Sequence, residues 1–211
     1  NAWKSLYVGG NTIYLGNLQL QQGAGNTFTV TTDGSTPANV NVTVSTTGNI
    51  TVGNIENAGA NGSGNIGSAT TYFNTVFAKA TSAQYADLAE FYSADAHYEP
   101  GTVVSFGGSF EVTVSTVDLD PCIAGVVSTN PSYLMNATQT GDHVVAVALV
   151  GRVPCQVVGS IRKGDRLVSA GDGIARSAQP GEATAFNVIG RALANKLDAE
   201  IGVVEAIVAT K

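Results

Sequence analysis

The residues best suited to chemistry in this chain are three carboxylates in the stretch "ADLAEFYSAD": Asp87, Glu90 and Asp95. Four apolar residues around them recur at helical spacing: Tyr85, Leu88, Ala89 and Tyr92. This spacing is compatible with a short helix over Ser82–Tyr92, in which Asp87 and Glu90 would share a face. Two neighbouring carboxylates can separate their pKa values, so that one serves as acid and the other as base. The alternative is that both solvate or cap a connector that faces water.

Other catalytic and metal-binding arrangements have less support. Nucleophilic catalysis needs a base within hydrogen-bond reach of the nucleophile. His97 and His143 lie outside any catalytic motif, which favours structural or solvated roles. Cys122 and Cys155 lack the spacing of zinc ligands. We interpret them as reduced core cysteines, with a bridge between adjacent strands as the alternative, and we expect no metal and no cofactor.

A loop in the second half supplies the candidate binding residues. Ser128–Gly141 is the longest irregular stretch there, and it contains Tyr133, Leu134 and Met135. Loops on rigid scaffolds often carry binding residues, so these three are candidates for ligand contact. The alternative is that they pack the loop against the core or against a neighbouring subunit.

Composition narrows the function classes. The chain is 44% hydrophobic but only 12% charged, about half the usual charged fraction. A chain with so few charges has a surface that either consists of small polar residues or is partly buried against other copies of the chain. The net charge of −6 argues against a nucleic-acid partner, and no apolar stretch is long enough for membrane insertion. Because the first residue is Asn1, we expect a longer parent protein.

A break in charge density near residue 80 indicates the domain organisation. Residues 1–80 contain four charged side chains that cancel, whereas the remaining residues carry the whole net charge of −6. This break predicts a stalk segment over 1–80, a connector with a short helix over 81–98, and a head domain over 99–211.

The stalk segment is predicted to consist of short strands. They are rich in Val, Ile, Thr and Tyr and separated by Gly and Asn: Thr12–Leu20, Thr27–Thr31, Val40–Val44 and Asn49–Ile55. Such strands hold too few large apolar residues for a core of their own. We therefore expect identical chains, intertwined about a threefold axis, to supply the missing cover. Two similar aromatic blocks, Ala2–Tyr7 and Tyr72–Phe77, indicate a weak internal repeat.

The head is predicted to be a compact β-barrel or sandwich built from two related hairpin units. The predicted strands are Thr102–Phe106, Phe110–Ser115, Ile123–Ser128, Val144–Val158, Arg166–Ser169, Gly173–Ser177, Asn187–Ala194 and Gly202–Thr210. In each unit a glycine precedes a hairpin, and a later strand carries an internal glycine: Gly101 and Gly125, then Gly164 and Gly190. Val144–Val158 exceeds the usual strand length, so we expect Gly151 and Pro154 to mark a bulge or corner.

Several segments resemble known viral proteins. "GNIGSATTYFNTVFAKATSAQYADLAEFY" (Gly64–Tyr92) and "LYVGGNTIYLGNLQL" (Leu6–Leu20) resemble stalk segments of phage tail-fibre and virion-appendage proteins. The head, with "IAGVVSTNPSYLMN" and "GRVPCQVVGSIRKGDRLV", is similar to the peptidase G2 family. In that family a C-terminal β-domain serves as an intramolecular chaperone of trimeric appendages and can release itself by autocleavage. This resemblance implies that Asp87 and Glu90 would act in a cleavage near Lys79–Ser82.

Together these features predict an all-β, trimeric structural component of a phage tail or virion fibre, assembled in the host cytoplasm. Its head would cap the trimer and set its register. The implied partners are two identical chains, other tail or baseplate proteins, and a host-surface glycan or protein. The alternative function is a self-cleaving intramolecular chaperone that acts once.

Overall fold

The structure, a computed structural model, describes residues 12–15, 18–22, 28–31, 54–55, 60, 63–68, 70–79 and 81–209. The chain divides into two compact units, Asn1–Thr75 and Val76–Lys211. Every regular element in the described part is a β-strand, which confirms the all-β fold class. A search of the described residues finds no helix long and apolar enough to span a membrane.

The first unit contains an antiparallel sheet of three strands: β1 (Thr12–Leu15), β2 (Leu18–Gln22) and β3 (Phe28–Thr31). The predicted single strand Thr12–Leu20 is wrong, because Leu15 pairs with Leu18 across a two-residue connection. That connection is Gly-Asn, a sequence typical of tight hairpins. Val40–Val44, the block Ala2–Tyr7 and most of Asn49–Ile55 lie outside the described residues.

The second unit contains ten strands. They are β4 (Asp87–Ser93), β5 (Val103–Phe106), β6 (Val112–Val114), β7 (Ile123–Val127), β8 (Tyr133–Met135), β9 (Val144–Val157), β10 (Arg166–Gly171), β11 (Ile174–Ser177), β12 (Val188–Ala192) and β13 (Gly202–Ala209). All eight strands predicted for the head are present within a few residues. The two that the sequence pattern missed are β4 and β8.

The predicted helix over Ser82–Tyr92 is wrong. Asp87–Ser93 forms β4, which pairs with β9 from Asp87 opposite Gly151 to Ser93 opposite Val144. Strand β8 pairs in parallel with the other edge of β4. Since the two neighbours satisfy backbone groups on both edges, tertiary pairing outweighs the helical spacing of four apolar residues.

Five strands close into a barrel in the order β9, β13, β12, β10, β11. A closed ring with an odd number of strands cannot alternate direction throughout, so at least one neighbouring pair must be parallel. That pair is β11 and β9, where Ala175 lies opposite Val157. The main-chain N–H of Val158 donates to the carbonyl oxygen of Ala175 at 2.9 Å and completes the closure.

Small and branched side chains fill the barrel. Along β13, Val204, Ala206 and Val208 point inward and are buried, whereas the residues between them are exposed. Val153, Cys155 and Val157 of β9, with Leu167 and Ile189 from β10 and β12, belong to the same core. The interior of the barrel is therefore a packed core. This core makes the barrel rigid, so the residues on its outer wall are held in fixed positions.

Strand β9 runs for 14 residues without a corner. Gly151, expected to mark a bulge, adopts a φ of 120° beside a register shift against β4. A Cβ atom at Gly151 would lie 2.2 Å from the carbonyl oxygen of Ala86, so only glycine allows this approach. Pro154 does not interrupt the pairing of β9 with β13. On the edge of β9 that faces away from β13, the main-chain N–H groups of Arg152 and Gln156 donate to Ala86 and Gly101. Pro154 lies between them, so the N–H that it lacks is on that edge too.

The two predicted hairpin units have the same strand order. Strand β5 lies between β6 and β7, and β10 lies between β11 and β12. Both units show a register shift directly after the pair that contains the internal glycine, Val104–Gly125 and Leu167–Gly190. Only the second unit belongs to the barrel, however. The first extends the sheet beyond β9, which corrects the prediction that both close one barrel.

A buried carboxylate joins the two hairpin units. Asp120 accepts hydrogen bonds from the hydroxyls of Ser105 (2.6 Å) and Ser115 (2.9 Å) and from the main-chain N–H of Cys122 (2.8 Å). Ser115 also hydrogen-bonds Ser169 of β10 at 2.8 Å. Burial alone would raise the pKa of Asp120, but the hydrogen bonds outweigh it and hold the pKa below its usual value.

We expect Gly190→Ala to destabilise the head strongly. A Cβ atom at Gly190 would lie 2.1 Å from the carbonyl oxygen of Ile207, and overpacking of this kind costs about 3 kcal/mol. Gly141→Ala is the control, because a Cβ atom there meets its nearest neighbour at an ordinary 3.7 Å. Urea unfolding would measure both, and an equal change in the two midpoints would contradict the close approach.

We expect Asp120→Asn to lower the free energy of unfolding at pH 7 by about 2–3 kcal/mol, since it removes a charged acceptor from two buried hydroxyls. The folded pKa of Asp120 is lowered. Its contribution is therefore complete above the unfolded pKa of about 4 and is lost as the pH falls through the folded pKa. Denaturant unfolding across this pH range should show that the free energies of unfolding of the wild type and the Asp120→Asn variant converge as the pH falls. A constant difference would disprove the ionic role, and the exposed Asp142→Asn is the control.

Candidate functional site

The structure does not bring the predicted acid–base pair together. Asp87 and Glu90 lie three residues apart on a strand and therefore point to opposite faces of the sheet. Asp87 is buried, and its carboxylate accepts a hydrogen bond from the hydroxyl of Ser128 at 2.5 Å. Glu90 instead accepts a hydrogen bond from the hydroxyl of Tyr92 at 2.8 Å. Two carboxylates on opposite faces cannot share a proton or a reacting bond.

The environments of Glu90 and Asp95 are explained by local hydrogen bonds. Burial, together with the hydrogen bond to Glu90 and its charge, raises the pKa of Tyr92 to about 12. Asp95 accepts hydrogen bonds from the hydroxyls of Tyr98 and Thr113. The bond from Tyr98, helped by that from Thr113, holds the pKa of Asp95 below its usual value despite some burial. These contacts fasten the turn after β4 to β6.

A groove of about 290 Å³ begins at Asp87 and Ser128, and residues 84–86, just before β4, also line it. Asp87 orients the Ser128 hydroxyl, as an activating group would. However, neither histidine lines this groove. His97 lies within 3.3 Å of Glu99, and both side chains are largely exposed. The groove therefore holds an oriented hydroxyl without the neutral nitrogen base that serine nucleophiles commonly use.

The cysteines form neither a bridge nor a reactive pair. Both thiols are free; Cys155 is buried in the barrel, and Cys122 is exposed. The prediction of a core position is therefore wrong for Cys122, which follows a turn outside the barrel. Burial raises the pKa of Cys155 to about 12, so it stays protonated at neutral pH. No group of three metal-ligating side chains was found in the part of the chain that the structure describes.

The three predicted binding residues form edge strand β8, which pairs in parallel with β4. Leu134 and Met135 are half-buried against the head, whereas Tyr133 is 63% exposed. The loop is thus fastened by backbone pairing, and its aromatic ring stays on the surface. The sequence gives no signal for this strand, because three residues are too few for a measurable periodicity.

Tyr133 belongs to a line of apolar side chains that crosses four strands. Tyr133 lies opposite Leu88, Leu88 opposite Val150, and Val150 opposite Ala209. Residues opposite one another in register share a face of the sheet. Val150 is 51% exposed, although it is a branched residue in a central strand. We call these four residues the apolar row.

A wide apolar groove of about 490 Å³ continues this surface. No charged side chain lines it, and its walls include Phe106, Ile123, Leu149, Phe186, Val208 and Ala209. Ala209 lines the groove and also belongs to the apolar row, so the two features meet at this residue. The alternating pattern of β9 and β13 indicates that these residues lie in strands, but only the register shows that they adjoin.

Among the comparisons with known proteins, similarity is found only to solved structures. No protein-family model matches the chain, so neither a tail-fibre nor a peptidase G2 family is matched. No curated protein matches it either. One similar solved structure is the N base of the head fibre protein gp8.5 of bacteriophage phi29. The match has a TM-score of 0.35 and 13% identity, and covers 58% of this chain and 93% of that chain. A fold likeness of this degree does not imply a shared function.

We expect the purified chain to remain intact after folding, because Asp87 and Glu90 lie on opposite faces. Intact-mass measurement over several days at neutral pH would test this. A spontaneous cut near Lys79–Ser82 would contradict the expectation. In that event the Asp87→Asn and Glu90→Gln variants would show whether either carboxylate takes part.

Proposed function

We propose that this chain is a structural component of a virion fibre and acts as a homotrimer whose head, residues 99–211, caps the trimer and sets its register. The observation that carries this proposal is the exposed apolar row with its adjoining groove. Contiguous apolar surfaces of this kind on a soluble domain commonly mark contacts with other proteins. A second copy of the same head is the simplest partner for it.

The size of this surface fits an oligomer interface better than a small-ligand site. A buried aromatic residue removes about 150–250 Å² from water, and stable interfaces bury at least about 1,200 Å² in total. Tyr133, Phe106 and Phe186 are all at least 46% exposed. Three aromatic anchors and the aliphatic residues between them supply an area of the required order.

The first unit supports the same proposal independently. Ile13 and Tyr14 are consecutive residues of β1 and therefore point to opposite faces of the sheet. They are 37% and 67% exposed, so apolar side chains lie open on both faces of a three-stranded sheet. A two-sided sheet of this kind needs cover from other strands, which a trimeric stalk would supply.

The wider assignment follows from this assembly. A charge-poor stalk followed by a head with an apolar surface suits a fibre on a virion, assembled in the host cytoplasm. Other tail or baseplate proteins would bind one end. The head would be free to contact a host-surface glycan or protein. Association of the head before the stalk would shorten the slow search for long-range strand pairing.

We expect the wild-type chain to form trimers at micromolar concentration and Val150→Glu to weaken them at least about tenfold, equal to about 1.4 kcal/mol. Multi-angle light scattering over a dilution series would measure the dissociation. Val117→Glu is a matched control, because Val117 is 53% exposed but lies on the connection between β6 and β7.

Tyr133→Ser is a second variant, to be used if Val150→Glu does not fold. It removes an exposed ring without placing a charge on a central strand, and it should weaken the trimer in the same direction. A monomeric wild-type chain would disprove the proposed assembly. Equal effects of the Val150 and Val117 variants would show that the apolar row is not the interface.

A further inference from the structure

Three arginines from three strands lie on one rung of the outer wall of the barrel. A rung is a set of residues that the register aligns across neighbouring strands. Arg166 of β10 lies opposite Arg191 of β12. Across β13, Ile207 lies between Arg191 and Arg152 of β9. Residues opposite in register share a face, with Cβ atoms about 5 Å apart in adjacent strands. All three arginines are exposed, and we call them the arginine row.

No carboxylate among the residues that the structure describes forms an ion pair with the arginine row. Arg176, by contrast, is held between Asp118 and Glu182, each at 2.7 Å. Glu205 lies on the same outer wall, opposite Pro154, and forms no ion pair with a described residue. Among the described residues, the row makes one side-chain hydrogen bond, from Nη1 of Arg191 to the carbonyl oxygen of Gly164 at 3.0 Å.

This arrangement costs stability. Like charges directly opposite in an antiparallel pair are destabilising, and Arg166 and Arg191 are such a pair. The chain has 16 acidic residues against 10 basic ones, so carboxylates are plentiful elsewhere on its surface. The three guanidinium groups are exposed and form no ion pair with a described carboxylate, so they are open to an anion from outside the head.

Two further cations adjoin the row. Arg162 and Lys163 belong to the turn before β10, and both are exposed. The main-chain N–H of Lys163 donates to Oδ1 of Asn195 at 2.7 Å, which holds the turn beside the end of β12. Asp165 lies in the same turn, and its carboxylate accepts hydrogen bonds from the main-chain N–H of Arg162 and the hydroxyl of Ser177.

We infer that the arginine row is a binding site for an acidic polysaccharide. Guanidinium groups bind carboxylate and sulfate groups through paired hydrogen bonds. The cations form a line across an open wall, which suits an extended polyanion better than a single small anion. Nucleic acid is disfavoured, because the aligned positions are Arg166, Arg191, Ile207 and Arg152, which offer no aromatic ring on which a base could stack. The inference goes beyond the fibre role and does not need the trimer.

The test is binding of the full chain to three probes of equal charge: a heparin oligosaccharide, an oligogalacturonate and a single-stranded DNA. Titration calorimetry at 50 and 200 mM salt would give Kd for each. We expect polysaccharide binding that weakens roughly tenfold or more over this salt range. Arg152→Gln with Arg166→Gln should weaken it about tenfold, whereas Lys79→Gln, which removes a cation outside the head, should leave it nearly unchanged.

A second readout separates binding from folding. Arg166→Gln relieves the like-charge pair, so at low salt this variant should melt at the same or a higher temperature while it binds less well. The inference is overturned by an absence of polysaccharide binding at 50 mM salt, by tighter binding of DNA, or by an equal loss in Lys79→Gln. A preference between the sulfated and carboxylated probes would identify which anion the row recognises.

Discussion

The head depends on the backbone pairing of one strand. Strand β9 pairs with β4 and β7 along its first half. Along its second half it pairs with β13 and, in parallel, with β11, which closes the barrel. It can do this because Gly151 leaves room for the carbonyl oxygen of Ala86 at the point where the partners change. A side chain there would force β4 away from β9. Strand β4, with β8 on its other edge, would then lose its pairing to β9.

The same strand sets the two outer surfaces. Val150 and Arg152 are successive outward-facing residues of β9, and each belongs to a different rung across the neighbouring strands. The rung at Val150 collects Tyr133, Leu88 and Ala209 into an apolar line. The rung at Arg152 collects Arg191 and Arg166 around Ile207. An apolar surface suited to identical copies and a cationic one suited to a polyanion therefore lie side by side, two residues apart on one rigid strand.

Two buried carboxylates of the second unit fasten neighbouring elements to one another. Asp120 joins the first hairpin unit to the second through Ser115 and Ser169. Asp87 fastens the segment after β7 through Ser128. The carboxylate of Asp87 accepts a hydrogen bond from a hydroxyl, and that of Asp120 accepts from two hydroxyls and a main-chain N–H. Such saturated groups give a unique arrangement to a core that otherwise consists of small aliphatic residues.

Alternation with period two and glycine turns are local signals, so the all-β class, eight strands of the head and the two hairpin units could be predicted from the residues alone. It misassigned Asp87–Ser93, since short apolar spacing fits a helix until β9 and β8 supply partners on both edges. Pairing between distant strands sets which carboxylates meet, which hairpin unit enters the barrel and which residues share a rung. Arg152, Arg166 and Arg191 are distant along the chain, and register alone aligns them, because register is set by pairing between strands and not by any local pattern.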